Sequence, residues 1–436
     1  MKEISIGLLG FGTIGTGVVK VLQNNAQLLQ DRLGAKLTLA RIADLDITTP
    51  RAVTVAPELL TTDADAVLTD PAIDLVIELI GGYEPARSFV LKAIANGKHV
   101  VTANKALLAL HGAEIFAAAQ QKGVDVYFEA AVGGGIPIIS AIRENLCANR
   151  FTSIFGILNG TCNYILSRMT NDGDDYGAVL KDAQELGYAE ADPTFDVEGI
   201  DTAHKLAILI SLCFGTRVRF KDIHTEGISN VSALDIHFAS QFGYRIKLLA
   251  IGKNDNGQIE ARVHPTMIPD NYPLADVHGA FNAVRLVGDF LGPAMLYGRG
   301  AGMDATASAV MGDVMAISRD MLCGVAGRTP ALGYVSEAIK DLAIKSMDDI
   351  VSQYYLRFAA DDKPGVLSQI SGILGKYEIS ITSMMQPERQ IGGGVPIVMM
   401  THDAKEANVR KALAEIDALA VIKEQSRFIR IENELG

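Results

Sequence analysis

Short unbroken apolar runs alternate with helix-spaced apolar positions through the first 130 residues. The run Ile4-Ser5-Ile6-Gly7-Leu8-Leu9 predicts a strand, and the glycines after it lead into a helix marked by Val18, Val19, Val21 and Leu22. Further strands are predicted over 37–43, 75–80, 99–102 and 124–128, with helices around 86–95 and 106–120. Strands without polar alternation are buried on both faces, so this rhythm predicts a parallel sheet covered by helices on each side. The middle of the chain reads differently. A strand over 150–158 leads into Asn159-Gly160-Thr161 and a helix, strands follow at 246–251 and 258–263, and glycine-rich 298–302 opens a helix over 305–319. That is an α+β pattern with a mixed sheet. Beyond a connector at about 340–352, strand 354–359, helix 365–376, strands 380–386 and 396–402, helix 405–419 and strand 426–431 give the order βαββαβ, a compact, self-contained ferredoxin-like domain. The expected class is α/β in three parts: 1–132 completed by helices at about 305–340, then 133–304, then 353–433.

Chemistry enters at the junctions of these elements. Gly10, Gly12 and Gly15 form GxGxxG between the first strand and its helix. The first glycine permits the tight turn, the second lets backbone approach a pyrophosphate, and the third lets helix and strand pack closely. The helix start then offers amides to phosphate, so a dinucleotide is the predicted ligand. The second strand ends at Asp44, with Asp46 close behind. A carboxylate there either accepts from a ribose 2′-hydroxyl, favouring NAD, or is a strand-end turn acid; Arg41 or Arg51 can offset its repulsion of a 2′-phosphate. Thr102-Ala103-Asn104-Lys105 ends another parallel strand at the edge where ligands gather, although alone Lys105 reads as an ordinary loop lysine. The stretch from Phe128 to Pro137 breaks into three glycines beside Glu129, compatible with a hard-cation site or with an interdomain hinge.

The densest chemistry lies between Glu190 and Lys205, where seven ionisable side chains precede a run, 206–214, that is apolar nearly all round. Asp201 and Lys205 are four apart and share one helix face. At the mouth of a buried helix lone charges are costly, so these two are either a structural pair or functional, and Lys205 beside carboxylates is the expected proton donor or acceptor. His204 points elsewhere and is expected to be structural. In the last domain the loop from Asp361 to Leu367 puts Pro364 in a first helical turn; it either holds a small carboxylate or simply connects a dimerisation module.

Composition narrows the picture further. Over 436 residues, 49% apolar content supplies real cores, and a net charge of −12 argues against nucleic-acid or membrane-surface partners. No apolar run is long enough for a membrane span, and the first apolar stretch runs into glycines rather than a cleavage site. Cys147, Cys162, Cys213 and Cys323 are scattered without a CxxC pair, which reads as reduced thiols, most of them in the core, in a cytoplasmic protein.

Taken together these motifs resemble the homoserine dehydrogenases, in the bacterial monofunctional form with a C-terminal ACT domain, over nearly the whole chain. The family signature is filled by Ala183, Gly187, Tyr188, Ala189, Asp192, Pro193, Asp196, Val197, Gly199, Asp201 and Lys205, and GFGTIG, ELIGG, TANK, GGGIPI and ILNGTCNYIL stand where the family has them. The resemblance implies a Rossmann-type cofactor domain, a catalytic and dimerisation domain and an ACT regulatory domain, in an oxidoreductase interconverting L-homoserine and L-aspartate 4-semialdehyde in threonine, methionine and isoleucine biosynthesis. It implies Lys205 as proton donor with Lys105 as a second essential lysine, Glu190 and Asp201 on the substrate, and Asp196 ordering the site. Gly10, Gly12, Thr13, Ile14, Gly15, Asp44, Lys105, Gly187 and Gly302 would line NADP or NAD. Glu129, with backbone oxygens of Val132, Gly134 and Ile136, would hold sodium or potassium. A homodimer or homotetramer with threonine as effector is implied as well. Met303-Asp304-Ala305 departs from the usual family pattern at the cofactor wall. A thioester enzyme for the same aldehyde would need a cysteine activated by histidine, and neither Cys147 nor Cys162 has such a setting in the sequence. A sensor that had lost catalysis would have no use for the intact set of Glu190, Asp196, Asp201 and Lys205.

Overall fold

Strand Glu3–Leu9 lies inside a six-stranded parallel sheet. Lys36–Ala43 and then Leu60–Thr61 flank it on one side, and Leu75–Glu78, His99–Thr102 and Val126–Tyr127 follow on the other. The strand order reverses between Glu3–Leu9 and Leu75–Glu78, which opens a crevice at the carboxyl ends of the strands, where such sheets bind ligands. Ile6, Leu8, Leu9, Leu75, Ile77, Val100 and Val101 are buried, as unbroken apolar strands require. Helix Met303–Leu322 returns from far along the chain to cover the sheet, and its Ala307, Val310, Met311, Val314 and Ile317 share one core with Ile6, Leu8, Val18 and Val19. Gly17 allows the approach, since a Cβ there would come 2.9 Å from Met303 and 3.0 Å from Ala307.

The computed structural model describes residues 2–386, 394–433 and 435. The chain divides into two compact units: one of residues up to Gly160 with Asp201–Ile223 and Phe281–Leu342, the other of Thr161–Ile200, His224–Ala280 and the chain from Ala343 onward. The first unit adds to its parallel sheet three antiparallel strands, Phe151–Ile157, Phe281–Gly288 and Gly292–Arg299. The hairpin of the last two escapes the hydrophobic pattern because Gly292–Arg299 fully buries none of its residues. Helix Ile200–Phe214 is buried nearly all round from Asp201 on, as its apolar run predicts.

In the second unit, Tyr244–Asp255 and Gln258–Pro269 pair antiparallel over twelve residues each. They join through Asn256 and Gly257, both at positive φ, a two-residue hairpin turn that the Asn-Gly pair encodes. The βαββαβ order is present: strands Val351–Ala360, Ile381–Met385, Val395–Thr401 and Ile422–Ile431 carry helices Val366–Lys376 and Glu406–Asp417 over a core of Tyr354, Leu356, Phe358, Ile370, Leu374, Val409 and Ile416. One expectation is corrected. This domain is not self-contained, because Ile422–Ile431 continues its sheet into Gln258–Pro269 by parallel pairing at Thr266 and Met267. The connector likewise contributes a short strand, Ala343–Ile344, to the same partner. An unpaired strand edge is a row of unsatisfied backbone groups, and this pairing covers part of it. The cysteines also differ from expectation. Cys162 and Cys213 are buried, but Cys147 and Cys323 are exposed. Among the described residues, no helix is long and apolar enough to cross a membrane.

Candidate active site

The glycine turn sits at the sheet's switch point. Gly10 has φ +96°, and a Cβ there would stand 2.7 Å from the Leu79 carbonyl oxygen; one on Gly15 would stand 2.1 Å from the Gly10 oxygen. At Gly12 a Cβ would meet nothing within 4 Å. Packing therefore demands the first and third glycines, while the second borders open space where a pyrophosphate needs room. Helix Thr13–Asn24 starts there without a side-chain cap, so the amides of Thr13 and Ile14 are available to an anion. Gly302, at φ +115° with open space beside it, caps the helix that starts at Met303.

Asp44 braces this turn. Its carboxylate accepts from the Phe11 amide at 2.5 Å and the Asp46 amide at 2.8 Å. Arg51 donates to the Phe11 and Asp46 carbonyls at 2.8 and 3.0 Å and lies 5.8 Å from the centre of the Phe11 ring. A carboxylate and a guanidinium thus both stand at the end of the second strand.

Lys105 opens helix Lys105–Lys122, whose start is capped by the Asn104 side chain accepting from the Leu107 amide at 3.0 Å. Its ammonium lies 3.1 Å from Asp201 Oδ1, while Lys205 Nζ lies 2.7 Å from Asp201 Oδ2. Asn159 Nδ2 donates to the same Oδ2 at 2.9 Å, and Lys205 also donates to the Leu158 carbonyl at 2.6 Å. Burial alone would raise the Asp201 carboxyl, but the two ammoniums, Lys205 and Lys105, outweigh it and hold the group well below the usual carboxylate range. One ionised carboxylate therefore binds two lysines, one on each oxygen, and a net positive charge is left over. Two of the three N–H groups of Lys205 go to Asp201 and Leu158, leaving one for a ligand. His204 is buried with its ring 4.2 Å from that of Phe220, the structural position expected of it.

The other carboxylates of the signature belong to the second unit. Glu190 is exposed and Asp196 half-buried. The Thr161 hydroxyl ties their segment together, donating to the Tyr188 carbonyl at 2.6 Å and to Asp196 Oδ2 at 3.4 Å. Asp192 accepts from the Thr194 amide at the start of the short helix Thr194–Val197, and Gly187, at φ +76°, turns the chain after helix Tyr176–Glu185.

Glu129 is buried, and each of its oxygens accepts one amide, from Ile139 and from Ser140, both at 2.7 Å. Its own amide donates to Asp313 at 2.7 Å. Burial raises the Glu129 carboxyl, and burial together with the charge of Glu129 raises Asp313 well above the usual range. A Cβ on Gly134 would come 2.5 Å from the Gly300 backbone, a close approach within the first unit. Val132 and Ile136 are buried beside it, and the Ile136 carbonyl accepts from the Ile138 amide at 2.8 Å. Among the described residues, no three His, Cys, Asp or Glu side chains gather as they would around a metal ion. Asn159, as a partner of Asp201, and the buried Glu78 carry no motif that marks them in the sequence. The only signal for Glu78 is an acid closing an otherwise apolar strand.

A parallel sheet with an open glycine turn at its switch point, and a lysine–carboxylate–lysine cluster following the same edge, defines an NAD(P)-dependent oxidoreductase. The homoserine dehydrogenase NAD-binding domain matches residues 10–129, the homoserine dehydrogenase domain matches residues 137–315, and the ACT domain matches residues 354–421. The homoserine dehydrogenase of Pseudomonas aeruginosa is 47% identical over 433 residues, covering 99% of each chain, and that of Synechocystis is 47% identical over 437 residues, covering 98% of this chain and 99% of its own. Among solved structures, a homoserine dehydrogenase from Thiobacillus denitrificans superposes over 99% of each chain with a TM-score of 0.93 at 48% identity. The S. aureus enzyme superposes over the same share with a TM-score of 0.78 at 31% identity. The chain belongs to the homoserine dehydrogenase family.

Proposed function

We propose that this chain interconverts L-homoserine and L-aspartate 4-semialdehyde, with Lys205 as proton donor, Lys105 as the second lysine of the site, and NADP or NAD as hydride carrier. The observation that supports it most directly is the Lys105–Asp201–Lys205 cluster, in which two ammoniums share one carboxylate. The nicotinamide supplies the hydride in reduction and takes it up in oxidation. In reduction, negative charge builds on the aldehyde oxygen as its carbon gains the hydride. The Lys205 ammonium, held by Asp201 and Leu158, has an N–H left for that oxygen and yields its proton to form the alcohol. Lys105 adds a second positive charge from the other side of Asp201. In oxidation, a neutral Lys205 takes the hydroxyl proton back.

Gly10, Gly12, Thr13, Ile14, Gly15, Gly187 and Gly302 would border the cofactor; the open face of Gly12 supports this for the pyrophosphate, and Asp44 and Arg51 bear on the choice between a 2′-hydroxyl and a 2′-phosphate. Glu190, Asp196 and Asp201 would receive or order the substrate's ammonium end. The buried carboxylates of Glu129 and Asp313 fit a sodium or potassium ion shared with the carbonyls of Val132, Gly134 and Ile136, since a cation there would offset their burial. Functionally, 1–132 with 305–340 would serve the cofactor, 133–304 catalysis and dimerisation, and 353–433 regulation by threonine in a homo-oligomer.

The test is spectrophotometric. Purified protein with L-homoserine and NAD or NADP should raise absorbance at 340 nm, and threonine should slow that rise. Absence of turnover with either cofactor would remove the proposed activity, whereas turnover indifferent to threonine would remove only the effector.

A further inference from the structure

Strand Leu75–Glu78 ends on a carboxylate that is fully buried, has no ion-pair partner among the described residues, and takes no part in the proton transfer above. Buried charges are costly unless their hydrogen bonds are satisfied, and here those bonds are divided between two loops. Glu78 Oε1 accepts from the amides of Ile80 at 2.8 Å and Gly81 at 3.2 Å, while Oε2 accepts from the Thr102 hydroxyl at 2.6 Å. Thr102 Oγ1 in turn accepts from the Asn104 amide at 3.0 Å. Asn104 closes the ring by donating from Nδ2 to the Gly82 carbonyl at 2.7 Å, and its Oδ1 caps the helix that begins at Lys105. On the other side, the Leu79–Ile80 backbone is the surface against which the Gly10 turn packs.

One side chain thus joins the glycine turn, the Ile80–Gly82 loop and the helix start that aims Lys105 at Asp201. We infer that Glu78 is a positioning residue for the reaction, setting where the Lys105 ammonium stands. This rests on the reading of Lys105 as part of the proton-transfer cluster. Three donors face Glu78, and a glutamine amide has one acceptor oxygen. Its NH2 would face Thr102 Oγ1 as a donor, compete with the Asn104 amide there, and loosen the ring at its link to the Lys105 helix.

The experiment compares Glu78→Gln, Thr102→Val, Lys105→Ala and the double variant Glu78→Gln/Lys105→Ala in the full chain, each checked for folding by circular dichroism. Shifts in supporting groups of this kind change activity by about 10–100-fold, so Glu78→Gln and Thr102→Val should each lower kcat roughly tenfold. For Thr102→Val, which leaves the Ile80 and Gly81 amides bonded, NADPH affinity should stay within about threefold because the glycine turn is untouched. On the Lys105→Ala background, Glu78→Gln should change kcat by less than about twofold, because the group it positions is gone. Wild-type kcat in folded Glu78→Gln and Thr102→Val, with Lys105→Ala impaired, would overturn the positioning role alone. An equal loss on both backgrounds would overturn it too, since Glu78 would then act independently of Lys105. Full turnover in Lys105→Ala would overturn the reading beneath it. Should Glu78→Gln fail to fold, Thr102→Val carries the test.

Discussion

Two buried charge clusters, one in each unit, are built from the same kinds of side chain and differ in what they leave over. In the second unit, Arg430 donates to both oxygens of Glu406 at 2.6 Å and to both oxygens of Glu226 at 2.9 and 3.0 Å. Arg410 adds a 2.6 Å bond to Glu406, and His224 one of 2.7 Å to Glu226. Two guanidiniums face two carboxylates, so the charges of these four groups balance, with Arg430 and Glu406 buried and Arg410 and Glu226 at the rim. In the first unit, two ammoniums face the one carboxylate of Asp201, and Lys105 remains about a third exposed. The arginine forks match carboxylate geometry and fix it, while the lysines are point charges able to release a proton. A balanced cluster is a joint, whereas an unbalanced one is a place for an incoming or developing negative charge.

The sharpest way to break that contrast is to remove the proton donor. Lys205→Ala should lower kcat by about a thousandfold, within the range usual for losing a positioned acid. Cofactor affinity should hold, because the glycine turn does not use Lys205. Initial rates at 340 nm, with cofactor fluorescence titration, check both halves; near-normal turnover would mean the surplus positive charge has no chemical use.

At the balanced cluster the expected loss is stability. Arg430→Met leaves the wholly buried Glu406 with Arg410 but removes its bidentate partner, and since breaking a buried pair outright costs about 3–5 kcal/mol, a loss of about 2–3 kcal/mol is expected. Urea unfolding should show that loss, while kcat per folded chain stays within about twofold because Arg430 shares no partner with the Lys105–Asp201–Lys205 cluster. The acid limb sharpens the comparison. Burial would raise Glu226, but His224 and Arg430 hold it below the usual range; burial would likewise raise Glu406, and Arg430 holds it down. Carboxylates depressed by folding stabilise fully above the ordinary carboxylate range and lose that contribution as pH falls through it. The variant should therefore lose less stability between about pH 5 and 3 than the wild type does.

How far these clusters were legible in the sequence follows from chain distance. The parallel sheet, its glycine turn and the βαββαβ order are local patterns, and the structure has them. The Asp201–Lys205 pair was legible because four residues on a helix make one face. Lys105 reaches the same carboxylate from 96 positions away, a junction no periodicity announces; only the family signature and the TANK segment suggested it. Glu406, Glu226 and Arg430 are likewise gathered from three distant elements, and the ferredoxin-like domain looked self-contained because strand pairing across such distances leaves no mark in a hydrophobic pattern. The Asn256-Gly257 turn was a readable signal for the long hairpin.

The mildest test concerns a single lysine that neither cluster neutralises. Lys247 is buried, donates to the Val277 carbonyl at 2.6 Å and to Asn163 Oδ1 at 3.2 Å, and is pushed down to about 8, first by burial and then by the charge of Arg245. A base lowered by folding binds fewer protons folded than unfolded between its two pKa values. Stability from this group therefore rises with pH from about 8 toward the ordinary lysine value, and its penalty is fully present below that window. Between pH 7.5 and 9.5 the change amounts to about 2 kcal/mol. Lys247→Met lacks a titrating group there, so its stability relative to the wild type should fall by that amount across the same interval in urea unfolding. A constant difference would show that Lys247 stays charged in the folded chain across that interval.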